Sequence, residues 1–203
     1  MFNKKSEDQE IESQNNYKSV LDFFLELVKV VIISLAIIIP IRAYVAQPFY
    51  VEGASMEPSF YDSEYLIIDE ISYHFSNPER GDVVIVRPPN NLSSYYIKRI
   101  IGLPNETVEV RDNKIYIYND ENPSGFLLDE SKYLSRETFS RHENKTYETL
   151  GENEYFVMGD NRENSLDSRR FGPITFDEIK GQVFLRAFPF NRFTLFANNN
   201  YYN

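Results

Sequence analysis

Cysteine is absent from the 203 residues, which rules out disulfides, thiolate metal sites and a cysteine nucleophile. Histidine is scarce as well. His74 and His142 are the only two, and neither sits in a recognisable motif. A histidine zinc site or general base therefore has little to draw on, and both read as loop residues. Positive charge is also short, since 21 Lys and Arg face 31 Asp and Glu for a net charge of −10. A phosphate-binding surface needs concentrated Lys and Arg, and no RNA-recognition or zinc-finger pattern occurs, so the sequence argues against nucleic acid as a partner. Internal repeats are missing, only one long apolar run exists, and nothing calls for a metal or cofactor.

Aromatic residues are plentiful, with 15 Tyr and 16 Phe in a chain that is 42% apolar. That is enough to fill the core of one globular domain with appendages, and the bias leans towards strands. The single apolar run lies within residues 20–46 and is densest from Val30 to Ile41. A spanning helix needs roughly 20 mostly apolar residues. Phe23 to Val45 reaches that by admitting Glu26, Lys29 and Arg42, of which the two basic residues lie near the ends, where they can snorkel to headgroups. A transmembrane helix is favoured over a buried soluble one. As a removable signal peptide the run fits poorly. Cutting after Ala46 leaves Tyr44 at −3, and cutting after Ala43 leaves Ile41 there. Lys4, Lys5, Lys18 and Lys29 precede the run and only Arg42 follows closely, which puts the N-terminus in the cytoplasm and the rest outside.

Residues 1–19 are polar with mixed charge, the composition of a disordered tail. Beyond the anchor come short strand-like runs: Tyr65–Asp69, Asp82–Arg87, Tyr95–Ile101, Thr107–Arg111, Lys114–Tyr118, Glu154–Met158 and Gln182–Phe188. Asp112-Asn113 predicts a hairpin turn, and Thr175, Asp177 and Glu178 predict a short helical turn through Ile179. The expected organisation is a cytoplasmic tail (1–19), an anchor (20–46), an extracytoplasmic β-rich domain (47–190) and a C-terminal tail (191–203) ending in low-complexity ANNNYYN. Within the domain, 119–150 reads as an inserted loop or small subdomain. The fold class is mainly β, a folded-over barrel or sandwich with one N-terminal transmembrane helix.

Three clusters carry groups capable of chemistry. Val51-Glu52-Gly53-Ala54-Ser55-Met56-Glu57-Pro58-Ser59 strips bulk from a turn at Gly53 and Ala54, leaving Ser55 where its hydroxyl and N–H could face one carbonyl; it also fits a plain polar turn. In Tyr96-Ile97-Lys98-Arg99-Ile100-Ile101-Gly102-Leu103-Pro104 the strand period puts Tyr96, Lys98 and Ile100 on one face. Lys98 is then either solvated or buried, and burial lowers an amine's pKa enough for it to accept a serine proton. Gly159-Asp160-Asn161-Arg162-Glu163-Asn164-Ser165-Leu166-Asp167-Ser168-Arg169 is dense in hydrogen-bonding groups without the twelve-residue spacing of an EF-hand. It serves either as a surface turn or as a clamp beneath a site.

In their order, an anchor followed by Ser55-Met56-Glu57-Pro58, Gly81-Asp82-Val83-Val84, Tyr96 to Pro104 and Gly159 to Arg169, these segments resemble the bacterial type I signal peptidases. The resemblance runs from the anchor to about Phe188, apart from the polar insert. It implies a membrane-bound serine endopeptidase that removes N-terminal signal peptides after small residues, Ala-x-Ala. Ser55 would be the nucleophile and Lys98 the general base, with Ser165 hydrogen-bonded to the lysine amine and Asp160, Asp167 and Arg169 holding the loop. The Ser55 N–H would donate to the oxyanion. Phe49, Val51, Gly53, Met56, Leu66, Tyr96 and Ile97 would form the substrate pockets, against which an extended substrate adds as a strand. Implied partners are signal-peptide-bearing pre-proteins and the lipid bilayer, at the outer face of the cell membrane; the protein is expected to be a monomer. Gly53 stands where some members carry a serine donor, as in many Gram-positive-type members, and Asn105 stands where glycine is common after Leu-Pro. Lys98 in place of histidine marks the prokaryotic type.

Two other readings compete. The self-cleaving SOS repressors share a Ser–Lys pair but are cytoplasmic, whereas this chain has an anchor and no helix-turn-helix pattern. A catalytically silent, membrane-tethered peptide-binding module would not be expected to keep both Ser55 and Lys98.

Overall fold

The computed structural model describes residues 22–39, 46–91, 93–134, 145–147 and 149–196. The predicted tail at 1–19, His142 and the ANNNYYN end lie outside these residues. The chain divides into two units, Met1–Tyr44 and Val45–Asn203. In the first, residues 22–39 form a helix, α1, in which every side chain is exposed, the large apolar ones by 49% to 64%. Among the described residues no helix is long and apolar enough to cross a membrane; Asp22, Glu26 and Lys29 all fall in the first half of α1.

The second unit is mainly β. Along the chain run β1 (Ala46–Tyr50), β2 (Tyr65–Asp69), β3 (Val83–Val86), β4 (Tyr96–Gly102), β5 (Thr107–Arg111) and β6 (Lys114–Tyr118). They are followed by β7 (Phe126–Leu127), β8 (Lys145–Thr146), β9 (Glu154–Met158), β10 (Ile174–Thr175), β11 (Ile179–Phe188) and β12 (Thr194–Leu195). Eight of them form an antiparallel sheet ordered β1-β2-β11-β3-β4-β9-β10, with β12 also on β11. A second sheet is ordered β7-β6-β5-β8. The ladder of the large sheet does not close on itself among the described residues. β1 and β10 are its edges, so it is an open sheet rather than a closed barrel.

The hairpin predicted at Asp112-Asn113 joins β5 to β6, and both residues take positive φ (51° and 60°), the pairing that matches the right-handed twist of its strands. Thr175 and Glu178 form a capping box around a 3-10 turn, Phe176–Glu178. The stretch predicted as an insert contributes β7 and β8 to the small sheet. Residues 191–196, assigned from sequence to the tail, are folded back instead. β12 pairs with β11, and Phe196 stacks on buried Phe60 at 5.2 Å. His74 is the exposed last residue of a 3-10 turn, Ser72–His74, whose Tyr73 is buried.

Three apolar clusters hold the sheets. Val51, Met56, Phe60, Leu66, Ile85, Ile97 and Val183 share the first, under the 51–64 segment. Ile100, Val157 and Ile174 share a second, and Ile101, Val108, Ile117 and Phe156 a third. β4 feeds all three clusters because both its faces are covered from Ile97 to Gly102. Lys98 and Arg99 therefore enter the interior with it, at 2% and 1% exposed.

Candidate active site

Residues 51–64 loop out between β1 and β2. Val51 closes the neck, donating its N–H to the Glu64 carbonyl and accepting from the Ser63 N–H, each at 2.9 Å. Gly53 takes φ +87°, a conformation that costs glycine nothing, and its N–H donates to Asp62 Oδ1 at 2.6 Å. That bond, with help from the Ser63 hydroxyl, holds the Asp62 carboxyl below its ordinary value. Met56, 1% exposed, plugs into the first cluster; burying such a side chain contributes roughly 2 kcal/mol and fixes the turn from beneath. Ser55, just before it, stays half-buried.

From β4, Lys98 Nζ donates to Ser55 Oγ at 2.9 Å and to the Ile97 carbonyl at 2.7 Å. Burial pushes its pKa down from 10.5 to about 8; Asp167 and Asp160 pull it upwards, and Arg169 adds to the fall. Near neutral pH an amine in that range is deprotonated in a useful fraction of molecules, and a neutral amine at that separation can accept a hydroxyl proton.

The 159–169 loop braces the pair from behind. A Cβ at Gly159 would lie 2.3 Å from Ser165 Oγ and 2.4 Å from the Ser55 carbonyl, so only glycine lets the two segments press together. Asn161 grips the serine turn twice, its N–H donating to the Ser55 carbonyl and its Nδ2 to the Ala54 carbonyl, each at 3.0 Å. Asp160 receives Arg99 as a fork, at 2.8 and 2.6 Å, while Arg99 Nη1 donates to the Gly81 carbonyl. Asp167 receives Arg169 the same way, at 2.8 and 2.7 Å, and also the Gly159 N–H at 3.0 Å. Burial raises the Asp167 pKa, but the Arg169 bonds and charge together with the Gly159 N–H outweigh it and leave the carboxyl below its ordinary value. Arg162 donates to the Gly159 carbonyl and forks onto Glu130. Its burial opposes the charge, yet Glu130 keeps its pKa above the ordinary value.

Beside the pair lies a groove of about 200 Å³ walled by residues preceding Ser55, by β2 and β3, and by residues 95–98. The chain matches the family described as "Signal peptidase, peptidase S26" over residues 24–188. It belongs to that family. Signal peptidase I of Bacillus amyloliquefaciens is 32% identical over 89% of this chain and 97% of its own length. Signal peptidase I T of Bacillus subtilis is 32% identical over 92% and 96%. A solved signal peptidase I from Enterococcus faecalis is 33% identical, covering 53% of this chain and 97% of that one, with a TM-score of 0.43. The protein is thus a signal peptidase I enzyme whose substrates are signal-peptide-bearing preproteins.

In this signal peptidase, Phe49, Val51, Leu66, Tyr96 and Ile97 line the groove with Ser55 and Lys98. Of the other residues expected there, Met56 is core and Gly53 lies in the exposed turn. Tyr50, Glu52, Ile85 and Tyr95 line the groove without having been singled out from sequence. Asp160, Asp167 and Arg169 all sit in the bracing loop. Ser165 Oγ, expected on the lysine amine, is buried against Gly159 and helps to lower the Asp167 carboxyl, while the hydrogen bonds of the amine go to Ser55 and Ile97. Sequence reasoning missed Arg99, Asn161, Glu130 and Asp62. Arg99 was the most accessible of these, as the partner that a buried Asp160 requires.

Proposed function

We propose that the peptidase cuts by a Ser–Lys mechanism, with Ser55 as nucleophile and Lys98 as general base. The observation that carries this is the 2.9 Å contact between a serine hydroxyl and an amine that burial has brought to about pKa 8. Neutral Lys98 takes the Ser55 proton as Oγ attacks the scissile carbonyl. The Ser55 N–H donates to the developing oxyanion, and the protonated amine then delivers its proton to the leaving amine. That amine is the new N-terminus of the mature protein; water then attacks the acyl-enzyme, again through Lys98, and releases the signal peptide with a free carboxylate. A groove of about 200 Å³ suits the small side chains of Ala-x-Ala before the cut, and the free edge of β1 among the described residues suits an extended substrate.

The same reading places α1 and the apolar sequence that continues to Val45 in the bilayer as a single-pass anchor. The 18 residues of α1 span about 27 Å at 1.5 Å each, and its fully exposed apolar surface asks for a lipid environment. The N-terminus is cytoplasmic, the catalytic domain lies outside, and the enzyme works as a monomer. Purified Ser55→Ala and Lys98→Ala enzymes, assayed on a synthetic Ala-x-Ala preprotein, should each lose cleavage while keeping a native circular dichroism spectrum. Normal processing by folded Lys98→Ala enzyme would rule the mechanism out.

A further inference from the structure

The turn that carries Ser55 runs on to Phe60. The Glu57 N–H donates to the Ala54 carbonyl at 3.2 Å and the Phe60 N–H to the Met56 carbonyl at 2.9 Å. Residues 54–60 are therefore one hydrogen-bonded piece, with Phe60, 1% exposed, buried at its end. Asn161 holds the piece at Ala54 and Ser55. At Ser59 it is held again, by two arginines. Arg186 Nη2 donates to the Ser59 carbonyl at 2.5 Å, and Arg192 Nη2 donates to the same oxygen at 3.4 Å.

Both arginines come from the far end of the chain. Arg186 lies in β11, opposite Leu66 of β2 and Thr194 of β12, and Arg192 ends the 3-10 turn Phe190–Arg192 between those strands. Glu64, 2% exposed, closes the loop just before β2. It forms ion pairs with Arg186 Nε at 2.8 Å and Arg192 Nη1 at 2.6 Å. A carboxylate at that depth needs a cation, and this one has two. One positive charge is left over, and the Ser59 carbonyl oxygen sits against it. The rings of Phe60 and Phe196 lie 4.8 and 5.4 Å from the Arg186 guanidinium carbon, which fixes the plane of the fork. Arg186 thus reaches Glu64 with one nitrogen and Ser59 with another. A lysine has a single nitrogen and cannot reproduce that fork.

We propose that Arg186 and Arg192, held by Glu64, are positioning residues for the cleavage reaction. Through the Ser59 carbonyl they set the turn that aims Ser55 Oγ at the scissile bond. This rests on the reading of Ser55 as the nucleophile. A misplacement of about 1 Å at a reacting atom can cost on the order of 100-fold in rate, so a clasp four residues from the serine has leverage on kcat.

The test measures kcat, KM and the urea midpoint of purified full-length wild-type, Arg186→Met, Arg186→Lys, Arg192→Ala and Ser55→Ala enzymes. The substrate is one synthetic Ala-x-Ala preprotein. Arg186→Met should lower kcat about tenfold or more and leave KM close to wild type, because the loss is in aim rather than in binding. Arg186→Lys should recover most of the urea midpoint, since Glu64 keeps a cation, and still be low in kcat, since Ser59 is let go. An arginine with a merely structural role would give both back together. Arg192→Ala, at a side chain 31% exposed, should show a smaller fall in kcat. Wild-type kcat in folded Arg186→Lys, or a loss confined to KM, overturns the clasp and leaves the proposed function standing. Should the Arg186 variants not fold, or Arg186→Lys recover neither quantity, Arg192→Ala decides. A reduced kcat in that folded enzyme upholds the clasp, and a wild-type kcat overturns it. Cleavage by Ser55→Ala would instead remove the reading beneath.

Discussion

Lys98 is held where an amine is costly to keep charged. Its amine is buried, and it titrates near 8 in the folded protein against 10.5 when unhindered. On the Ser–Lys mechanism proposed above, the reactive form for kcat/KM, which reports the free enzyme, is the neutral amine. The rate should climb about tenfold per pH unit below 8 and level off above it. Asp167 raises the amine's pKa and Arg169 lowers it, so Asp167→Asn, which removes the first and frees the second, should move the acid limb to lower pH. A limb that stays put or moves up contradicts this electrostatic account. The same shift has a cost in stability. Between pH 8 and 10.5 the unfolded chain binds a proton at Lys98 that the folded chain does not, so stability should rise with pH across that window. Lys98→Met removes the ionisable group, and we expect an inactive enzyme that melts above wild type at pH 7. The gap in Tm should narrow as pH rises from 8 to 10.5. A gap that is flat with pH would mean the amine is not desolvated in the native state.

At the scale of elements, the segment between β6 and β9 does more than lengthen the chain. Glu130 pairs with Arg162 inside the protein, both at most 4% exposed, and the Tyr133 ring lies 3.9 Å from the Arg99 guanidinium carbon. Arg162 also holds the Gly159 carbonyl, so the segment supports the loop that grips the Ser55 turn. Glu130→Ala leaves the arginine charge buried without that partner, a change that costs about 3 kcal/mol. Urea titration should show it as a lowered midpoint. A loss under 1 kcal/mol would mean that water reaches Arg162 and the segment is not a support. This link was invisible in the sequence because Glu130 and Arg162 are 32 positions apart and Glu130 sits in a stretch with no strand period. Other features were legible because their causes are local. Asp112-Asn113 encodes its own turn, alternation marks β2 and β5, and the order of the Ser55, Lys98 and Gly159–Arg169 segments marks the family. β1 was hidden behind the apolar run, and β7, β8, β10 and β12, at two residues each, are too short to show a period. Ser165 shows the limit of analogy. Its place in the loop was legible, but its hydrogen bond depends on where the lysine amine points.

For the whole molecule, the proposed anchor predicts which side of a bilayer the catalytic unit occupies. Four lysines before the apolar run against one arginine just after it favour a cytoplasmic N-terminus. The acidic residues of the tail count little in that rule, and the −10 net charge of the chain does not oppose it. The lack of cysteine makes the question directly measurable, since any thiol introduced is the only one present. Ser6→Cys places it before the run and Asn191→Cys on an exposed turn of the catalytic unit. In intact cells a membrane-impermeant maleimide should label Asn191→Cys and spare Ser6→Cys, and permeabilisation should expose both. Reversed labelling would invert the topology. If the protein stays in the supernatant when membranes are pelleted, α1 is no anchor, and its exposed leucines and isoleucines need a protein partner instead. Because signal peptides end at the outer face of the membrane they cross, only the first outcome puts Ser55 within reach of its substrate.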